Sequence, residues 1–181
     1  MLVLSRALVL STRAFFPTVA LAQGSKPRIP SPRDSTEQTI GAAHLVVDYG
    51  RPSKRRREIF GALVPFGAVW RTGANEATHF RTDRDITIGT IRVPRGTYTL
   101  WTIPEPDGWT LIVNRQTFQW GTDYNKMQDV GRTKMKVATL REPVEQFTIA
   151  ITPTRNGSGM LIMSWDTTQA SIPIHVEPVR P

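Results

Sequence analysis

The chain contains no cysteine. That excludes structural disulfides, a thiol nucleophile, cysteine-ligated zinc and a lipid anchored through an N-terminal cysteine. Long apolar runs are missing as well. The best candidate, residues 14–21, is short, contains Pro17 and directly follows Arg13, whereas a bilayer-crossing helix needs roughly 20 apolar residues. No stable membrane span is therefore expected. A glycine-rich phosphate loop, a dinucleotide fingerprint, a G-x-S-x-G elbow and an H-E-x-x-H pair are all absent, which removes the classes of enzyme those motifs announce. Histidine is scarce. His44, His79 and His175 show no metal-like spacing, so no metal and no cofactor are expected.

Acid is in deficit. Fifteen Asp and Glu face 23 Lys and Arg, for a formal charge of +8, or +6 without Arg6 and Arg13 in the first 22 residues. Such a surplus can serve polyanionic partners. The basic residues are scattered, however, apart from the run Lys54–Arg57, and no nucleic-acid-binding motif accompanies them. A solvated basic surface is expected, with no nucleic-acid partner.

What is present fits one ordinary globular domain. The chain has 181 residues, 39% hydrophobic and 21% charged, enough to bury about two-thirds of its unfolded surface. Arg6 and Arg13 precede the short apolar segment, which closes on Ala20-Leu21-Ala22. This is the layout of a signal peptide over residues 1–22, and it predicts export to the periplasm or the extracellular space. Residues 23–36, rich in proline, serine and charge, read as a flexible linker. The domain then spans 37–181.

Within it the dominant rhythm has period two. Leu45, Val47 and Tyr49 alternate with His44, Val46 and Asp48; Tyr98 and Leu100 alternate with Thr97, Thr99 and Trp101; Phe147, Ile149 and Ile151 repeat the pattern. Gly89-Thr90 and Arg155-Asn156-Gly157-Ser158-Gly159 are hairpin signals. Segments 134–140, 145–152, 159–165 and 170–177 read as separate short strands, and Pro173 marks the last as an edge. About ten short strands with frequent turns predict an all-β antiparallel sandwich, jelly-roll-like. It carries one long loop or short helical turn over residues 51–76.

That loop holds the densest mixture of functional groups. In Trp70-Arg71-Thr72-Gly73-Ala74-Asn75-Glu76, Arg71 offers a planar fork for carboxylate or phosphate, Gly73 allows close backbone approach, and Asn75 and Glu76 add a hydrogen-bonding amide and an acid. Besides holding a polar ligand, this string admits two other readings: an internal ion pair of Arg71 with Glu76 or Asp48 that fixes the loop, or Glu76 as a general acid or base. Arg51 is a second guanidinium that the loop can fold back towards Arg71 as an anion clamp. Trp101, Trp120 and Tyr124 are the aromatic candidates, the two tryptophans as outward-facing rings on which a sugar can stack.

Several stretches resemble one family. They are Gln38-Thr39-Ile40-Gly41, Asp48-Tyr49-Gly50-Arg51-Pro52, the segment 59–67, the string 69–78 that contains Trp-Arg-Thr-Gly-Ala-Asn-Glu, the turn and strand 94–100, and Trp120-Gly121. Together they resemble domain of unknown function 2911, a family of bacterial exported proteins, over roughly residues 37–177. The resemblance implies export and a mostly β domain and carries no catalytic role. Arg95 and His79 depart from the small residue and the threonine expected at those positions.

Three functions are compatible with these features. The first is a non-catalytic binding module for a small anionic or carbohydrate-like ligand, using Arg51, Arg71, Asn75, Glu76, Trp101, Trp120 and Tyr124. The second is a hydrolase or lyase with Glu76 as acid or base, and the third a structural protein of the envelope.

Overall fold

A computed structural model describes residues 31–176. The signal-peptide segment and most of the linker lie outside the described residues. Nine strands run in chain order: β1 Arg33–Ile40, β2 Ala43–Gly50, β3 Thr78–Thr82, β4 Ile86–Ile88, β5 Ile91–Val93, β6 Gly96–Ile103, β7 Trp109–Asn114, β8 Asp129–Pro153 and β9 Ser158–Val176. Among the described residues the only helical element is a 3₁₀ turn, Lys126–Gln128, and no helix is long and apolar enough to cross a membrane.

The class expected from alternation is the class observed: all strand pairs are antiparallel. They form one nine-stranded sheet in the order β1-β2-β3-β6-β7-β8-β9-β4-β5. This open sheet curls back on itself. Tyr49 on β2 lies four strands from β8 in that order, yet its hydroxyl accepts from Ile149 N on β8 at 3.0 Å, and Ser53 just beyond β2 bridges Gln146, also on β8.

Two long strands make the curl. Segments 134–140 and 145–152, expected as separate strands, belong to the single strand β8, and 159–165 and 170–176 likewise join in β9. Pro143, with charged residues around it, lies between the two expected segments of β8. In the structure they mark shifts of register between Thr139, Val144 and Thr148, irregularities that bend a strand without ending it. The first part of β8 pairs with β7 and the rest with β9. Pro173 is not on an edge strand, because β9 lies between β8 and β4. The β8 ladder has already ended at Lys136–Ser171, so the missing N–H of Pro173 costs no ladder bond. Asn156 and Gly157 both have positive φ, the requirement of a type I′ turn, and close the β8–β9 hairpin.

The loop 51–76 is stitched into the core. It contributes Ile59, Val64 and Trp70, all buried, and Trp70 stacks on Trp165 at 6.0 Å with a 17° interplanar angle. Phe60, Trp109 and Phe147 complete an aromatic box of edge-on contacts around that pair. Residues 58–64 form a compact turn closed by Val64 N to Ile59 O at 2.8 Å and are not helical; Gly61 at φ +94° interrupts any helix there.

Candidate functional site

The Trp-Arg-Thr-Gly-Ala-Asn-Glu string begins as a strand-like bridge. Trp70 and Thr102 exchange backbone hydrogen bonds of 2.7 and 2.9 Å. The chain then turns through Thr72 and Asn75, both with positive φ, a conformation costing about 1 kcal/mol or more at each non-glycine residue. Buried hydroxyls hold it: Thr72 Oγ1 meets Thr102 Oγ1 at 3.1 Å, and Thr78 Oγ1 donates to Thr72 O at 2.7 Å. Gly50, at the end of β2, lets the carbonyl of Ala74 approach so closely that any Cβ there would overlap it.

This turn presents Arg71 to a cleft of about 350 Å³. Arg71 is half-buried, and burial lowers its pKa from the ordinary arginine value. The only hydrogen bond of its guanidinium among the described residues is a long one, 3.4 Å, from Nη1 to Asn75 O. Arg57 also lines the cleft, with Trp165, Val64, Leu63 and Val69 as apolar walls, and among the described residues no Asp or Glu lines it.

Arg51 does not join it. Its Nε donates to Phe147 O at 3.1 Å, Nη1 to Asp34 at 2.8 Å and Nη2 to Thr148 Oγ1 at 3.0 Å. All three nitrogens tie β2 to β1 and β8, so the expected two-arginine clamp is not formed. Glu76 does not pair with Arg71 either. Its partner is Arg33, with Nη1 at 2.9 Å from Oε2. Asn75 is in the turn, its side chain donating to Ser31 O at 3.3 Å, and its carbonyl is what Arg71 touches.

The aromatic candidates separate too. Trp101 is 1% exposed, so it offers no outer stacking surface. The loop 116–125 covers that face of β6, where Trp101, Ala77 and Ile112 form a second small core and Tyr124 packs on Trp101 at 5.1 Å. The Tyr124 hydroxyl bonds to Asp129 at 2.7 Å and accepts from Arg132 at 2.7 Å. Burial, then the hydrogen bond to Asp129, pushes its pKa up to about 12. Trp120, by contrast, is 51% exposed.

Sequence reasoning missed one ionic cluster. Arg33 on β1 reaches across to Asp48 on β2, with Nε at 2.8 Å, while bonding Glu76 through Nη1. His79 on β3 is opposite Asp48, with Nδ1 at 3.9 Å from its carboxylate, and Nε2 accepts from Phe118 N at 3.2 Å. Burial, then the charge of Arg33, lowers the His79 pKa. The outward position of Asp48 was readable from alternation in β2, but its partners were not. His44 sits apart, beside Asp83. Among the described residues no three His, Asp or Glu side chains gather as metal ligands.

Comparison with curated proteins and with solved structures finds no match. A family model described as "Protein of unknown function (DUF2911)" matches residues 31–174, nearly the whole described domain, and the chain belongs to that family.

Proposed function

We infer that this protein is a non-catalytic binding domain for a small organic anion, held in the cleft beside Arg71. One observation carries this reading. Among the described residues, a half-buried guanidinium without a carboxylate partner faces a cleft that has a second arginine and no acid. A buried cation left unpaired is costly unless something negative arrives, and arginine matches carboxylate or phosphate with two parallel hydrogen bonds. The walls of Leu63, Val64, Val69 and Trp165 favour an anion with an apolar body over a bare inorganic ion. We place this activity outside the cytoplasm, on the signal-peptide layout of residues 1–22.

An acid–base role for Glu76 has less support. Its carboxylate is engaged by Arg33, and the nearest imidazole, His79, has its Nε2 lone pair occupied by Phe118 N–H, so a proton-accepting partner is not free.

The test is a thermal-shift and calorimetric screen of inorganic phosphate, aliphatic and aromatic carboxylates, sugar phosphates and neutral sugars. A ligand of the native state must raise its melting temperature. Arg71→Met should weaken the best anion by about 1.5–3 kcal/mol, roughly 10- to 100-fold, the contribution of a charge-assisted hydrogen bond. If no anion shifts the wild type, or wild type and variant respond alike, the inference is wrong.

A further inference from the structure

Phe118 and Trp120 are placed in a way that folding does not require. Phe118 is 84% exposed and Trp120 51% exposed. Gln119 between them turns inward and donates to Thr99 Oγ1 at 3.2 Å, so the two rings flank an anchored residue on the outer surface. Phe118 also adopts φ +63°, a left-handed backbone that suits glycine or asparagine and is strained for an aromatic residue. An exposed apolar ring in a strained position contributes nothing to the core.

Beside these rings lies the ionic cluster. Glu76 bridges Trp120 through the backbone, and the His79 ring is 5.3 Å from that of Phe118. The side chains of Asp48 and Glu76 remain 41% and 48% exposed, and Arg33 between them 30%. The patch therefore joins aromatic faces to a fixed row of acceptors and donors. We propose that it is a saccharide-binding site, separate from the Arg71 cleft, for a neutral or amino sugar unit of a polysaccharide. A sugar ring has an apolar C–H face to lay on an aromatic ring and hydroxyls that both donate to carboxylates and accept from a guanidinium. A phosphate-rich or acidic polymer would meet two carboxylates. An apolar protein surface would have to desolvate four ionisable groups.

Affinity electrophoresis through gels containing soluble neutral glucans, xylans or partly deacetylated chitin tests this, using the chain without its first 22 residues. The wild type should be retarded by at least one polymer. Phe118→Ala and Trp120→Ala should each weaken that retardation about tenfold, the scale of one aromatic contact. Phe118→Gly separates binding from folding: it should weaken retardation as far as Phe118→Ala does while leaving the melting temperature unchanged or higher. The assignment is overturned if no polymer retards the wild type or if the alanine variants migrate like it. It is equally overturned if Phe118→Gly lowers the melting temperature, or if the patch instead mediates a dimer that Phe118→Ala dissociates. Loss of anion binding in Arg71→Met with retardation intact keeps the two sites distinct.

Discussion

Gly121 holds Arg71 in position by having no side chain. A Cβ at Gly121 would overlap Cδ of Arg71 and the carbonyl oxygen of Asn75, and would lie 2.7 Å from Arg71 Nε. The Gly121 N–H donates to that same Asn75 carbonyl at 3.0 Å, so the stem of Arg71 is pressed between a backbone without a side chain and the turn that carries it. Gly121→Ala must displace either the arginine or the loop. It is expected to lower stability by about 1–3 kcal/mol, as overpacking does, and to reduce anion binding as far as Arg71→Met does. Calorimetry on both variants checks this; full binding by Gly121→Ala would show that Arg71 is not held there.

Arg33 links three segments through two acids, and all three side chains are partly exposed. Exposed pairs contribute about 0.2–1 kcal/mol each, so Arg33→Met should cost about 1 kcal/mol. In an Asp48→Asn, Glu76→Gln background the same substitution should cost only a few tenths of a kcal/mol, because the coupling is gone. Urea denaturation of the four proteins measures it, and equal losses in both backgrounds would exclude the bridge.

Trp165 belongs to both the core and the cleft. It stacks on Trp70, meets Phe60 and Phe147 edge-on, and donates Nε1–H to Glu145 O at 3.3 Å. Trp165→Ala should cost about 3–5 kcal/mol, the usual loss for a large buried aromatic. A shift of the denaturation midpoint corresponding to less than about 1 kcal/mol would mean that the aromatic box does not support the loop 51–76.

The β class was legible because alternation is a direct consequence of one buried face, as in Leu45, Val47 and Tyr49. It failed where a strand lacks that asymmetry. Arg33–Thr36 show no alternation of buried and exposed positions in β1, so their proline- and charge-rich surroundings read as linker, and Arg33 was lost from the candidate site. Trp101 failed for the opposite reason. Both faces of β6 are buried between Tyr98 and Thr102, because loop 116–125 covers the outer one, and no local pattern announces a loop from 15 residues away. Arg71 and its turn were legible as a dense polar string. That Arg51 would be consumed by β8 was not, since the contact spans 96 residues of chain.

His79 makes the site sensitive to acid, and the sign follows from one hydrogen bond. Nε2 accepts from Phe118 N–H, which only a neutral ring nitrogen does. Burial, then Arg33, lowers the pKa below 6.5, while Asp48 and Glu76 oppose the shift. On acidification the unfolded chain therefore takes up the proton first, so stability is complete above the ordinary histidine value and falls as the pH drops through and below it. His79→Gln keeps an acceptor for Phe118 N–H without the titration. Its stability should change less than that of the wild type between about pH 8 and about pH 5, the range in which histidine titrates. Urea denaturation across that range measures the difference, and NMR titration of the His79 ring gives its midpoint directly. A midpoint at or above 6.5 would mean that the Phe118 bond does not hold the ring neutral, and that the aromatic loop is fixed by something else.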